Sequence, residues 1–253
     1  MLDSKIFVKN LEIFYKVVGE GNPLPTGRQV LILHGWGSKS DYWLKTAQLM
    51  AKRGVKVIIP DLPGFGKSNK PPWPWNLDEY CFFIKEFADS LGLKDFYLLG
   101  HSFGGSLAAK LALKYPKRIT KLFLVGAACI RKKTFKKKVL LVFSKVFKIF
   151  SYIPLFKKAF YKFVVKSDYP NTKGFMKKTY LNIIKEDLIN SLEKINIPTI
   201  IIWGENDNVI PLKYGQLINS KIKNSKLIVI PHGTHDLERK IPGILAKKIL
   251  CCL

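Results

Sequence analysis

Apolar and polar positions change their spacing several times along the chain. From Leu2 to Val18 they alternate, which predicts two strands near the N-terminus. Six later runs, Val30–Leu33, Val55–Ile59, Phe96–Leu99, Leu122–Val125, Thr199–Trp203 and Leu227–Ile230, are apolar and compact. Strands without a polar face are expected to be buried on both sides, as in a parallel sheet covered by helices. Helical stretches separate them. Asn76 stands where it can cap a helix over 77–91, and Glu79 three residues on completes a capping box. A second helical stretch runs over Leu107–Tyr115. This strand–helix order predicts an α/β fold with a mostly parallel central sheet, helices on both faces, and ligands held beyond the carboxyl ends of the strands.

The alternation stops between Ile130 and Ile195. Residues 131–178 carry 15 Lys or Arg and one acid, Asp168. Within them Val139, Val142, Phe143, Val146, Phe147 and Phe150 fall on one helical stripe, with Lys138, Lys145 and Lys148 off it. The expected organisation is a core of 1–129 and 196–253 with an inserted helical cap, 130–195. Prolines mark two loops, one at 23–27 and one around Pro71, Pro72 and Pro74.

Composition adds a formal charge of +25, from 43 Lys plus Arg against 18 Asp plus Glu. That balance raises nucleic acid or anionic lipid as partners. Only five of the cations are Arg (Arg28, Arg53, Arg118, Arg131 and Arg239), the residue that reads phosphates and bases bidentately, so nucleic acid is disfavoured. No stretch reaches the roughly 18 apolar residues that span a bilayer. Asp3 and the early alternation are unlike a signal peptide. Cys81, Cys129, Cys251 and Cys252 form neither a disulfide framework nor a Cys-x-x-Cys metal site, which points to a reducing cytoplasm.

The clearest chemistry lies at Gly100-His101-Ser102-Phe103-Gly104-Gly105, directly between an apolar strand and a helix. A serine on such a tight turn takes a strained backbone, and the residues two before and two after it crowd together, so both want glycine. Serine needs an imidazole base, itself oriented by a carboxylate. His34 and His101 adjoin glycine turns and read as loop-shaping residues. His232 and His235 follow the last strand, and His235 is favoured because a base must reach back over the sheet from the end of that loop. Residues 119–131 contain no acid, so the carboxylate is sought after the next strand, where Asp207 is favoured over Glu205. The candidate catalytic set is Ser102, Asp207 and His235.

With these motifs the sequence resembles the α/β-hydrolase superfamily over nearly its whole length. His34-Gly35-Trp36-Gly37 is similar to the family's oxyanion loop, and Asp61-Leu62-Pro63-Gly64-Phe65-Gly66-Lys67-Ser68 to the turn after its fourth strand. The resemblance implies an oxyanion hole made by the backbone N–H groups of Trp36 and Phe103. It also implies departures from neighbouring families. Ser102 stands where dehalogenases and epoxide hydrolases have Asp, the cap is poor in the carboxylates that proline iminopeptidases use, and Gly37-Ser38-Lys39 replaces the Gly-Pro-Gly run of carbon–carbon-bond hydrolases. Thr234 takes the place of the glycine that usually precedes the base.

The expectation is therefore a serine hydrolase, carboxylesterase-like, that cleaves an ester, thioester or related acyl bond of a small apolar substrate, with neither metal nor organic cofactor. A carbon–carbon-bond hydrolase and a non-catalytic ligand-binding protein on the same scaffold are the alternatives. His34, Trp36, Phe103, Phe143 and Phe147 are the expected pocket wall. The Lys-rich cap has three readings: helices closing the pocket with Phe143, Phe147 and Phe150 inward, a peripheral contact with anionic membrane, or nucleic-acid binding. The first is preferred.

Overall fold

The computed structural model describes residues 2–19, 28–131 and 174–253. The first two strands, β1 (Leu2–Val8) and β2 (Leu11–Val18), form an antiparallel hairpin in which Leu2 faces Val17 and Val8 faces Leu11. Lys9 and Asn10 turn it with positive φ angles of 46° and 64°.

The remaining strands are β3 (Gln29–Leu33), β4 (Lys56–Pro60), β5 (Phe96–His101), β6 (Ile119–Val125), β7 (Thr199–Gly204) and β8 (Ser225–Ile230). They lie in the order β1-β2-β4-β3-β5-β6-β7-β8, antiparallel from β1 to β4 and parallel from there on. The mostly parallel sheet expected from the alternation is observed, in the α/β-hydrolase arrangement that the resemblance implied.

The two-residue period of each central strand sorts its side chains into two cores. Leu31 and Leu33 of β3, Leu122 and Leu124 of β6, and Ile201 and Trp203 of β7 face one layer, packed against α2 (Leu77–Ser90) and α3 (Phe103–Lys114). Val30 and Ile32, Phe123 and Val125, and Ile202 face the other, against α1 (Leu44–Ala51) and a C-terminal helix, Pro242–Leu250. One sequence expectation needs correction. The run Leu227–Ile230 does not have two buried faces: β8 is the sheet's edge, and Val229 is exposed. An apolar run cannot by itself distinguish a central strand from an edge.

Helix α2 starts as its sequence predicts. Asn76 Oδ1 accepts hydrogen bonds from the N–H groups of Asp78 and Glu79 at 2.8 and 3.0 Å, and Glu79 accepts from the N–H of Asn76 at 2.7 Å. The helix ends at Ser90, and α3 begins at Phe103, four residues before its clear apolar period. Helix α4 (Phe175–Lys185) lies within 130–195, the stretch where a cap was expected, and is followed by α5 (Lys213–Lys221), α6 (Leu237–Lys240) and α7 (Pro242–Leu250). The stripe from Val139 to Phe150 lies outside the described residues. Among the described residues no helix is long and apolar enough to cross a membrane.

Replacing Asn76 with Ala removes two acceptor interactions at the start of α2. Urea denaturation of Asn76→Ala is expected to show a loss of about 1 kcal/mol.

Candidate active site

The carboxyl ends of β5, β7 and β8 bring the candidate residues to one edge of the sheet. Ser102 follows β5 immediately, with φ 52° and ψ −114°, a strained backbone for a residue with a Cβ. Its N–H donates to the carbonyl of Val125 at 3.1 Å, and its own carbonyl accepts from the N–H of Ala128 at 2.9 Å. The turn closes only because its neighbours lack side chains. A Cβ on Gly100 would overlap the carbonyl of Gly104, and one on Gly104 would overlap that of Leu33 in β3.

Asp207 sits in the turn after β7 and is buried. Its Oδ1 accepts from the N–H groups of Val209 and Ile210 at 2.9 and 2.8 Å. Its Oδ2 lies 2.7 Å from Nδ1 of His235, in the loop after β8. A carboxylate accepts, so Nδ1 carries the hydrogen and Nε2 is left with a lone pair. His232, by contrast, is exposed, and its N–H donates to Glu205 at 3.0 Å. The structure thus pairs Asp207 with His235, and Glu205 with the backbone of His232.

Two further polar clusters hold the loops around Ser102. Asp61, after β4, accepts from the N–H of Ser40 at 2.6 Å and of Lys67 at 2.9 Å. His34, after β3, is fully buried, accepts from the N–H of Leu62 through Nε2 at 2.9 Å, and contacts the carbonyl of Gly35 through Nδ1 at 2.8 Å. Although the sequence suggested it for the pocket wall, both its nitrogens are committed to backbone, and burial pushes its pKa down to about 4. The third histidine, His101, is also buried. Its Nε2 is 3.1 Å from the carbonyl of His235 and 3.9 Å from a carboxylate oxygen of Glu238. Burial, with the neighbouring His235, pushes the pKa of His101 down to about 3, and burial pushes that of Glu238 up to about 7.

An aromatic group stands beside Ser102. Trp36 lies 4.8 Å from Phe65, 5.4 Å from Phe103 and 5.1 Å from Tyr180, measured between ring centroids. Tyr80, anchored by donation to the carbonyl of Pro63 at 2.9 Å, meets Phe103 from the other side at 5.3 Å. Trp36 and Phe103, two of the expected pocket residues, both belong to this group. Phe143 and Phe147 lie outside the described residues. Sequence reasoning missed Tyr180, together with Met176, which lies against Gly64. The signal was available in α4, where Met176, Thr179, Tyr180 and Ile183 fall on one helical face. Among the described residues no group of His, Cys, Asp and Glu is arranged to hold a metal.

Comparison with known proteins agrees with this fold. The sequence profile of the alpha/beta hydrolase fold matches residues 29–148 and 141–237. Lipase 3 of Moraxella sp. (strain TA144) is 30% identical, with 92% of this chain and 80% of the relative covered. A 2-hydroxy-6-oxononadienedioate/2-hydroxy-6-oxononatrienedioate hydrolase of Pseudomonas putida is 26% identical, over 89% and 86%. Among solved structures, an esterase from Exiguobacterium antarcticum superposes with a TM-score of 0.77 at 21% identity, over 99% of both chains. The chain belongs to the α/β-hydrolase family, and it is a hydrolase of that fold.

The buried histidines and Glu238 oppose one another in their effect on stability. Below their ordinary pKa of 6.5, His34 and His101 take up protons in the unfolded chain but not in the folded one until about 4 and 3, so stability falls as pH drops through that window. Glu238 holds a proton in the folded protein between its ordinary 4.5 and about 7, so its contribution falls as pH rises. Glu238→Gln is therefore expected to gain stability relative to wild type from pH 5 to pH 7, by on the order of 1 kcal/mol per pH unit, and to level off above. Urea denaturation at pH 5, 6, 7 and 8 measures it. A difference independent of pH would contradict this account.

Proposed function

We propose that the protein hydrolyses esters, thioesters or related bonds of apolar acyl groups through an acyl-enzyme on Ser102. The observation that carries this reading is the 2.7 Å pairing of Asp207 with His235 at the strand ends beside a strained Ser102. As Ser102 Oγ adds to the acyl carbon, its proton passes to Nε2 of His235. The imidazolium, held by Asp207, returns that proton to the leaving alkoxide or thiolate. Water then adds to the acyl-enzyme by the same route and releases the acid.

The negative oxygen formed at each step is assigned to the N–H groups of Trp36 and Phe103. Phe103 is the first residue of α3, so its N–H has no acceptor within the helix and stands at the helix's positive end. Donors of this kind contribute about 3–4 kcal/mol each to the barrier reduction. The rings of Trp36, Phe65, Phe103 and Tyr180 supply the apolar wall that such a substrate needs. We assign residues 130–195 the role of a cap over this wall, supported by the contact of Tyr180 with Trp36. A peripheral contact of the Lys-rich segment with anionic lipid belongs to the same proposal. Its support is the density of lysine over 131–178 and the exposure of Phe175 beside Lys177 and Lys178.

Ser102→Ala, His235→Ala and Asp207→Asn are each expected to lower kcat on p-nitrophenyl esters by roughly three to four orders of magnitude while leaving the protein folded. Wild type should be labelled at Ser102 by a fluorophosphonate and should prefer acyl chains longer than acetyl. Folded protein that refuses the probe would favour the ligand-binding alternative. An active His235→Ala beside a dead His232→Ala would move the base.

Co-sedimentation with vesicles tests the lipid contact. Binding to anionic but not neutral vesicles at low salt is expected, and its absence would remove the membrane role.

A further inference from the structure

We propose that His101 is a positioning residue for the base: its Nε2–H holds the backbone carbonyl of His235. The inference rests on the reading of His235 as the base. It gives a function to a buried polar side chain that the acyl-transfer steps do not use.

Geometry fixes the direction of the interaction. His101 ends β5, one residue before Ser102, and its ring lies between those of Trp43, at 5.9 Å, and His235, at 4.8 Å. A carbonyl only accepts, so the 3.1 Å contact with His235 requires the hydrogen on Nε2. Nδ1 is then unprotonated and has no hydrogen-bond partner among the described residues. The single donor of this ring is thereby aimed at the backbone of the base. Asp207 holds the other end of His235 through Nδ1. Between them the two contacts restrain both the ring and the chain that carries it. A link from the residue preceding the nucleophile to the residue bearing the base ties the two reacting groups together through the backbone.

Glu238 is 2% exposed on α6, and its Oε2, 3.9 Å from Nε2 of His101, has no hydrogen-bond partner among the described residues. The charged and titratable groups around it are few. Its own segment offers Asp236 and Arg239, and the guanidinium of Arg239 lies 4.5 Å over the ring of Tyr42. The turn at residues 40–43, which packs on α6, also carries Asp41, paired with Lys16 and Lys39. His235 and His101 face it from the base loop and β5, with His34 beyond His101. Asp236, His235 and Arg239, in that order, are the charges that act on Glu238, which lies behind His101 without hydrogen-bonding it.

The experiment uses the full chain and p-nitrophenyl esters across pH. His101→Phe keeps the ring volume but loses the donor, and kcat is expected to fall roughly 10- to 100-fold with KM within about twofold. His101→Gln, whose amide reaches the position of Nε2, should recover most of the loss, whereas His101→Asn, which reaches only the position of Nδ1, should not. Should His101→Phe fail to fold, the Gln and Asn pair decides the matter. Wild-type kcat in His101→Asn would overturn the proposal. His235→Ala run in parallel separates the two failures: if it is active the base itself is misassigned, and if it is dead while these variants behave as wild type only the positioning role is lost.

Discussion

The close approach of the start of α3 to β3 and β5 is the constraint on which the rest of the site depends. It forces Ser102 to a positive φ and leaves no room for a Cβ at Gly100 or Gly104. A conformation of this kind costs of order 1–3 kcal/mol and persists only where its surroundings over-determine it. Here the surroundings are hydrogen bonds from both sides of the turn, to Val125 at the end of β6 and from Ala128 just beyond it, and the apolar layer beneath α3. The strain lifts the serine side chain above the sheet at the one place where loops from β3, β7 and β8 converge.

That convergence is built from buried polar groups, each satisfied mainly by backbone. Asp61 ties the turn after β4 to the residues after β3, His34 ties β3 to the same turn, and Asp207 ties its own turn before it reaches His235. Burying such groups without partners is costly, so each bond also fixes a loop that would otherwise be free to shift. His101 Nδ1 and Glu238 Oε2 have no hydrogen-bond partner among the described residues, and both residues lie near His235.

The aromatic wall shows how α4 joins the rest of the fold. Thr179 Oγ1 accepts from the N–H of Trp75 at 3.0 Å, which seats α4 on the loop before α2 and directs Tyr180 onto Trp36. Lys110 of α3 binds both Asp78 of α2 and Glu186 just after α4. The helix that follows Ser102 thus also anchors the chain just after α4.

Much of this was legible in the sequence, for identifiable reasons. Apolar runs of strand length named the parallel strands, Asn76 and Glu79 named the start of α2, and glycines two residues either side of Ser102 named the strained turn, because in each case the physical requirement is met within a few consecutive residues. The choice of Asp207 over Glu205 and of His235 over His232 could be argued from the sequence, but only the tertiary structure put Asp207 and His235 2.7 Å apart and left Glu205 and His232 exposed. The edge position of β8, the contact of Tyr180 with Trp36 and the burial of Glu238 beside His101 were not legible at all. They arise from contacts between residues far apart in the chain, and local spacing carries no information about which distant surface a side chain will meet.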